Sequence, residues 1–262
     1  MEPSILSTRG DAARGTAADT ARGTAADTAR GTAADTARGT AADTAQDSAP
    51  SLWLVRHGQS TWNVAGLAQG QLDQAELTER GLRQASDAAW QFRDHPIRAI
   101  YASDLRRARQ TAAAFAAVVG LPVFADARLR ERSLGVLEGI PSAALGPEVT
   151  GLEGGRVADP DARPAGGESV RQLYRRAAAF CGNLAATVGD RGGSAGGPLP
   201  GFPDIAGDVL VIAHGGTVRV LAAYLRGIPV EQMSWEPVEN ATVVQVPDFL
   251  ARPPDAAPDR SR

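Results

Sequence analysis

From residue 51 onward, short apolar runs alternate with longer stretches that have the apolar period of a helix. The strand-like runs are residues 52–55, 97–101, 122–124, 209–213 and 241–246. The helix-like stretches are residues 78–92, 105–119, 169–186 and 217–225. Strands that alternate with helices in this way pair in parallel through helical crossovers. We therefore predict an α/β fold with three αβα layers, in which helices cover both faces of a mostly parallel central sheet.

The segments outside this alternation have little capacity to form a core. Between residues 14 and 45 the unit Arg-Gly-Thr-Ala-Ala-Asp-Thr-Ala recurs four times with a period of eight, and it contains no large apolar residue. A glycine in every unit also costs roughly 1 kcal/mol in a helix. We predict a disordered low-complexity tail over residues 1–50, a catalytic domain over 51–250 and a frayed tail over 251–262.

Two further segments are interpreted as irregular parts of the domain. Residues 139–167 are rich in glycine and proline and show no clean period, which indicates a lid or a substrate-side insertion. Residues 190–207 contain the run Gly-Gly-Ser-Ala-Gly-Gly-Pro and are expected to form a flexible surface loop.

Charge and cysteine content restrict the partners of the chain. Lys and Arg number 27 against 30 Asp and Glu, which argues against general nucleic-acid binding because affinity for phosphate backbones comes from accumulated positive charge. No apolar run suits a signal peptide or a membrane span. The single cysteine, Cys181, excludes an intramolecular disulfide and is expected to be a buried helix residue. We expect a cytoplasmic protein with no nucleic-acid or membrane partner. The oligomeric state stays open, with a dimer as one option.

Two of the three histidines follow strand-like runs and precede glycine. His57 lies in Arg-His-Gly after the first run, and His214 lies in His-Gly-Gly after residues 209–213. Open α/β sheets place their active sites at the carboxyl ends of the strands. This matched pair therefore favours a functional role over core packing. Arg56 beside an imidazole suits an anionic substrate, and Gly58 is expected to let that substrate approach the backbone.

Metal binding is the main alternative for the two histidines. Neither belongs to a His-Glu-x-x-His helix, and their neighbours are arginine or glycine rather than carboxylates. A metal ion beside Arg56 would be repelled, whereas a phosphate would be attracted. We therefore expect neither a metal nor a cofactor. The third histidine, His95, is interpreted as a cation at the end of a helix, where the helix dipole favours positive charge.

The segment after the second strand-like run carries a cluster of arginines at the start of a helical stretch. Ser103 or Asp104 is expected to cap that helix, so that its first turn can face an anion. Residues three apart share a helix face, which predicts a solvated stripe of Arg106 and Arg109 and turns Arg107 toward the pocket.

The loop at residues 129–139 supplies candidates for a catalytic acid. Cleavage of a phosphate ester needs a proton for the leaving oxygen, and a carboxyl group in a dry site can provide it. Glu131 and Glu138 both lie in this loop, and their spacing alone does not choose between them.

Taken in order, these motifs resemble those of the histidine phosphatase superfamily, the phosphoglycerate-mutase-like proteins. The resemblance spans residues 52–246. It is carried by five short motifs, which are Arg56-His57-Gly58, Ser103-x-Leu-x-Arg107-Ala108, Leu129-x-Glu131 with Gly135 and Glu138-Gly139, Gly167-Glu168-Ser169 and Ala213-His214-Gly215-Gly216.

The resemblance implies a role for each matched residue. His57 would be the nucleophile that forms a phosphohistidine, and Glu131 would be the proton donor. The transferring phosphoryl oxygens would be held by Arg56, Arg107 and His214. The substrate would be bound by Asn63, Gln69, Gly70 and Gly215, with Glu168 in the supporting shell. The reaction of this family requires no metal.

Departures from the family pattern favour a phosphatase over a mutase. Cofactor-dependent mutases resemble Asn-Glu-Arg-His-Tyr-Gly around the loop acid, whereas this chain has Arg-Glu-Arg-Ser-Leu-Gly at residues 130–135. Residues 140–166 contain only two basic residues, Arg156 and Arg163, and four acidic ones. A second phosphate group would find little added positive charge there.

We therefore predict a metal-independent phosphomonoesterase that acts on a small phosphorylated metabolite through a phosphohistidine. The alternatives are a cofactor-dependent phosphoglycerate mutase and a non-catalytic binder of phosphorylated ligands. Residues 69–73 and 103–108 are similar to those of actinobacterial glucosyl-3-phosphoglycerate phosphatases, but the insertion is not similar enough to predict that substrate.

Overall fold

Seven strands and six α-helices make up the part of the chain that this computed structural model describes, residues 50–188 and 207–250. In chain order they are β1 (Leu52–Arg56), α1 (Thr61–Val64), α2 (Glu79–Trp90), β2 (Ile97–Ala102), α3 (Arg106–Val119), β3 (Val123–Ala125), α4 (Pro147–Thr150), β4 (Leu152–Glu153), β5 (Arg156–Val157), α5 (Val170–Val188), β6 (Asp208–Ala213), α6 (Gly215–Leu225) and β7 (Val243–Val246). The predicted tails and the predicted loop at 190–207 lie outside the described residues, apart from Pro50 and Gly207.

Five of the strands form one sheet, in the order β3-β2-β6-β1-β7. The pairs β1–β6, β6–β2 and β2–β3 are parallel, and only β7 runs antiparallel to its neighbour β1. The predicted mostly parallel sheet is confirmed. The last strand starts at Val243 rather than at the predicted residue 241. Ala241 has a φ of 59°, in the left-handed region, and so cannot continue a strand.

Helices cover both faces of the sheet and give the three predicted layers. Side chains alternate between the faces along each strand. Leu54 of β1 therefore packs in one core cluster with residues of α5 and α6, and Val55 packs in another with residues of α2 and α3.

Two predictions about single residues have different outcomes. Cys181 is buried in α5 as expected, and burial raises the pKa of its thiol to about 12. The interpretation that places His95 at the end of a helix is wrong. Helix α2 already ends at Trp90, and the His95 ring packs edge-on against Trp53 with the ring centroids 5.2 Å apart. Aromatic packing rather than a helix dipole holds His95 in place.

All four parallel strands end at one edge of the sheet, and each leads to a residue whose side chain could take part in a reaction. Arg56 ends β1 and His57 follows it, while His214 directly follows β6. Arg107 lies in the first turn of α3, the helix that follows β2, and Glu131 lies six residues after the end of β3. Adjacent strand ends are held together by backbone bonds. The His57 amide donates to Ala213 at 3.0 Å, for example. Within residues 50–188 and 207–250, none of the helices has the length and apolar character needed to cross a membrane.

Candidate active site

The His57 ring is held in one protonation state by its own backbone. Nδ1 lies 2.7 Å from the carbonyl oxygen of Gly58, and because a carbonyl can only accept, Nδ1 carries the proton. Burial, followed by the positive charges of Arg107 and Arg56, lowers the pKa of His57 well below its usual range. The ring is therefore neutral, with the lone pair on Nε2. A neutral imidazole with a free Nε2 can act as a nucleophile.

The glycine after His57 serves a different purpose from the one expected. A Cβ at Gly58 would clash with the backbone carbonyl of Gly81 in the first turn of α2. The expectation that Gly58 lets the substrate approach the backbone is therefore wrong. The missing side chain lets helix α2 pack against the backbone at this position. The Gly58 amide also donates to Thr111 Oγ1 in α3 at 3.1 Å. The turn that carries His57 is thus fixed between α2 and α3.

His214 lies beside His57, with the ring centroids 5.2 Å apart and the ring planes at 63°. It is fully buried, and burial together with the charge of Arg107 lowers its pKa well below the usual range. Its Nε2 lies 2.8 Å from Ser103 Oγ, whereas its Nδ1 is buried without a hydrogen-bond partner in the described chain.

The predicted caps of α3 are wrong. Leu105 occupies the N-cap position, and the amide of Arg106 donates to the Asp73 carboxylate, which comes from another loop. The Ser103 hydroxyl lies against His214 instead. Asp104 accepts two hydrogen bonds from Arg130, at 2.7 and 2.6 Å, and this pairing holds the pKa of its carboxyl below the usual range.

Arg107 turns inward from α3 as predicted and is fully buried. Two of its guanidinium nitrogens donate to the carbonyls of Gly70 at 2.8 Å and Leu72 at 3.3 Å. Arg106 and Arg109 lie on the solvent side, where Arg106 pairs with Glu76, so the predicted division of the three arginines is confirmed.

Arg56 is anchored from the other side of the site, through a bond from Nη1 to the carbonyl of Val238. Within the described residues, the Nε atoms of Arg56 and Arg107 are buried and have no hydrogen-bond partner, as is the case for His214 Nδ1. Buried donors are nearly always satisfied, so an unpaired group in a cavity indicates a ligand position. Arg56 and Arg107 line the cavity beside His57, and the His214 ring lies against the His57 ring, so the three donors together suit the oxygens of a phosphoryl group.

The two candidate acids have different surroundings. The Glu131 carboxylate lines the cavity beside His57, where it accepts the amides of Arg132 at 2.8 Å and Gly216 at 2.9 Å. Glu138 accepts hydrogen bonds from the amides of Leu72 at 2.6 Å and Leu134 at 3.0 Å, so it links the segment that contains Leu72 to its own loop. The geometry therefore selects Glu131 as the candidate proton donor and gives Glu138 a structural task.

An arginine that the sequence analysis did not single out clamps the loop that carries Glu131. Arg176 of α5 donates to the carbonyls of Arg128 at 2.7 Å, Arg130 at 2.8 Å and Glu131 at 3.1 Å. It also forms a mostly buried ion pair with Glu168 at 2.7 Å. Glu168 thus lies in a supporting position, as the resemblance implies.

A second unanticipated arginine fixes the insertion. Arg132 is only 3% exposed, and it donates to the carbonyls of Thr150 at 2.6 Å and Ala162 at 3.0 Å. Burial lowers the pKa of Arg132 to about 10. Because residues 150 and 162 both belong to the insertion, Arg132 attaches that segment to the loop that carries Glu131.

Three of the four predicted substrate-binding residues line a cavity beside His57, and the fourth, Gly70, does not. A cavity of about 280 Å³ opens beside His57. Asn63, Gln69 and Gly215 line it, whereas Gly70 lies behind, with its carbonyl bound to Arg107. The lining further includes Trp62, Gly66, Leu67, Ala68, Leu134, Ser142, Leu145, Gly216 and Arg219. Two of these, Ser142 and Leu145, come from the insertion, so it contributes to the substrate side as expected.

Comparison with known proteins points to one family. A family profile described as "Histidine phosphatase superfamily (branch 1)" matches residues 52–247. The probable phosphoglycerate mutase GpmB of Yersinia pestis is 36% identical over 187 residues, which cover 68% of this chain and 75% of that protein. The profile match runs from β1 to the end of β7 and so includes the sheet and its carboxyl edge.

Two solved structures show the same likeness. A mycobacterial glucosyl-3-phosphoglycerate phosphatase in complex with VO3 has 35% identity and a TM-score of 0.61, with coverage of 77% of this chain and 94% of that one. The alpha-ribazole phosphatase from Shigella flexneri has 25% identity and a TM-score of 0.59, with coverage of 74% and 89%.

Proposed function

The chain belongs to the histidine phosphatase superfamily, and on that premise we propose that it is a phosphomonoesterase for a small phosphorylated metabolite, with His57 as a covalent phosphoryl acceptor. One observation carries the proposal. The Gly58 carbonyl fixes the proton of His57 on Nδ1 and leaves Nε2 as a nucleophile, beside three buried donors that lack partners in the described chain.

In the first step His57 Nε2 attacks the phosphorus, and the bond from phosphorus to the ester oxygen breaks. Arg56 Nε, Arg107 Nε and His214 Nδ1 donate to the phosphoryl oxygens, where charge is concentrated in the transition state. For this role His214 carries its proton on Nδ1, which is consistent with Ser103 donating its hydroxyl proton to Nε2. The N-terminus of α6, which begins directly after His214, adds a favourable dipole.

Glu131 gives its proton to the leaving oxygen. In the second step Glu131 accepts a proton from water, the water oxygen attacks the phosphohistidine, and inorganic phosphate leaves with His57 restored. These steps use side chains of the protein only, so we propose that the reaction is independent of metal ions.

The test is phosphate release from small esters in the presence of EDTA. The wild type is expected to remain active, and His57→Ala to lose turnover. His95→Ala is the matched control, because His95 is exposed and packs on Trp53 away from the site. Activity that disappears on chelation, or that persists in His57→Ala, contradicts the proposal.

A phosphoglycerate mutase is the second candidate, because the Yersinia relatives carry that name at 36% identity. A mutase would interconvert 2- and 3-phosphoglycerate and depend on a bisphosphate, whereas a phosphatase releases phosphate. A non-catalytic binder would retain phosphorylated ligands without turnover. The presence of all five candidate catalytic residues at one sheet edge disfavours that alternative.

We also propose that residues 51–250 form the catalytic domain, preceded by a low-complexity tail, and that the protein is cytoplasmic. The family match over residues 52–247 supports the domain bounds. The free, buried Cys181 is consistent with a reducing compartment.

A further inference from the structure

A tight turn just before β7 is bound to the backbone of the first site motif. The Thr242 amide donates to the carbonyl of Glu239 at 3.2 Å, which closes a four-residue turn. The Thr242 carbonyl accepts a hydrogen bond from the Arg56 amide at 3.0 Å, and the Ala241 amide donates to the His57 carbonyl at 3.2 Å. The turn is therefore attached to the backbone that carries the nucleophile.

The third residue of this turn has a strained backbone. Ala241 has a φ of 59°, in the left-handed region that glycine usually occupies at such a position. Strained residues persist where the surrounding structure over-determines them, which is common at active sites. In this conformation two groups reach one acceptor, because the Ala241 amide and the side chain of Asn240 both donate to the His57 carbonyl.

The side-chain nitrogen of Asn240 bridges His57 and Asn63. It lies 3.1 Å from the His57 carbonyl oxygen and 3.2 Å from Asn63 Oδ1. An amide nitrogen has two hydrogens to donate, and these two acceptors use both of them. One side chain near the end of the domain thus ties Asn63 to the backbone of the nucleophile.

The Asn63 carboxamide has one orientation that satisfies its neighbours. Its Oδ1 also accepts a hydrogen bond from the backbone amide of Ser60 at 3.0 Å, in the capping box that starts α1. Rotating the carboxamide by half a turn would place Nδ2 against two donors, the Ser60 amide and Asn240 Nδ2. Nδ2 therefore points away from both.

This orientation leaves one donor of Asn63 for a ligand. Asn63 lines the cavity beside His57. Within residues 50–188 and 207–250 its Nδ2 has no hydrogen-bond partner. An amide N–H in such a cavity suits a phosphoryl oxygen, which only accepts hydrogen bonds when ionised.

We propose that Asn240 is a positioning residue, which holds the Asn63 amide with Nδ2 toward the phosphoryl position and fixes it relative to His57. Asn240 lies outside the cavity lining and acts through these two neighbours. Without Asn240 the His57 carbonyl keeps the Ala241 amide, so the Asn63 amide is the group that becomes less well ordered. The inference rests on the proposed phosphatase function, because it concerns the same phosphoryl site.

A double-mutant cycle separates this role from a merely structural one. The measurement is kcat/KM for p-nitrophenyl phosphate per folded protein. Asn63→Ala should lose about 10- to 100-fold, the range of one hydrogen bond to a charged group. Asn240→Ala should lose about 10-fold, less than the roughly 100-fold cost of a 1 Å misplacement, because the Ser60 bond to Asn63 remains. The double variant should match Asn63→Ala within about 2-fold, since Asn240 then has no amide to position.

Two further variants complete the design. Asn240→Leu has a volume close to that of asparagine and no donor, so it gives the same cycle if Asn240→Ala does not fold. Gln245→Ala is the matched control, because it loses another side-chain amide bond, at 3.1 Å to Ser51 Oγ, from an exposed position of β7. It should keep kcat/KM within about 2-fold of the wild type.

The outcomes distinguish the inference from the proposed function. Losses that multiply in the double variant overturn the inference, as does full activity in Asn63→Ala or in both Asn240 variants. Failure of both Asn240 variants to fold overturns it too, because that shows a structural role. Each of these results leaves the phosphatase function standing. Absence of phosphate release from every ester by the wild type overturns the function itself, and the inference with it.

Discussion

Replacing Gly216 by alanine should separate proton donation from the rest of the reaction. Gly216 lies in the first turn of α6, and its amide donates to Glu131 Oε2 at 2.9 Å. A Cβ at this position would clash with Glu131 Oε1, at less than 3.0 Å, and would lie 3.3 Å from the Trp235 ring. The backbone of α6 is packed in the core, so the carboxylate is the group that moves.

The size of the effect follows from this geometry. The carboxylate must move by at least about half an ångström, and a displacement of about 1 Å at a reacting group costs about 100-fold in rate. General acid catalysis contributes about 10²- to 10⁴-fold. We expect kcat/KM for an alkyl phosphate to fall about 10- to 100-fold, because the displacement lies between about half an ångström and 1 Å. The loss of one charged hydrogen bond, offset by the higher helix propensity of alanine, should lower the free energy of unfolding by about 1–2 kcal/mol.

The assay compares two leaving groups. p-Nitrophenyl phosphate releases a stable phenolate that needs little protonation, so its kcat/KM should change less than about 3-fold, well below the 100-fold range of a lost general acid. Gly182→Ala is the matched control. Gly182 lies in α5 with no atom within 4 Å of the added Cβ, so this variant should gain about 0.5–1 kcal/mol and keep full activity. Equal losses on both esters in Gly216→Ala would refute the role given to Glu131.

Three other perturbations test separate parts of the account. Arg176→Met breaks the ion pair with Glu168 and leaves three loop carbonyls without their donor, so the free energy of unfolding in urea should fall by about 3 kcal/mol or more. Arg175→Met, at an exposed position of the same helix, is the control and should have little effect. Equal effects of the two substitutions would contradict the role given to Arg176. His57 and His214 have lowered pKa values in the fold, so the unfolded chain takes up more protons and acid below about pH 6.5 should destabilise the protein. NMR of ¹³C-labelled histidine should find both rings neutral at about pH 6.5, whereas a midpoint at or above that value would contradict the burial argument. Deletion of residues 1–48 should leave kcat/KM within about 2-fold of the full chain if the tail is inert as its composition indicates; loss of folding would contradict the predicted domain boundary.

The strand ends and their order were predictable from the sequence because they depend on short-range patterns. An apolar run followed by His57 or His214 and a glycine places an imidazole at a sheet edge in any parallel α/β fold. The inward turn of Arg107 follows from helix periodicity in the same way. These features need no knowledge of which distant segment packs against them.

The errors lie where a distant segment supplies the partner. Asp73 caps α3 from another loop, so local composition pointed to Ser103 or Asp104 instead. Gly58 is required by the approach of the Gly81 carbonyl, a contact that only the packed structure contains. The choice between Glu131 and Glu138 likewise depends on which amides surround each carboxylate.

The residues that sequence reasoning missed differ in how visible they were. Arg219 had a signal, since it is the one charge in an apolar helical stretch and lies four residues after Gly215. Arg176 had none, because Arg171, Arg175 and Arg176 all lie in the same helix and periodicity does not say which of them meets backbone carbonyls.

The most direct test of the central claim is to trap the phosphoryl group on His57. Wild-type protein mixed with a ³²P-labelled ester and quenched rapidly should carry an acid-labile, base-stable label that maps to the peptide containing His57. His95→Ala should carry the same label, and His57→Ala should carry none. Wild-type protein that turns over the ester without any label, or with the label on another residue, would contradict covalent catalysis by His57.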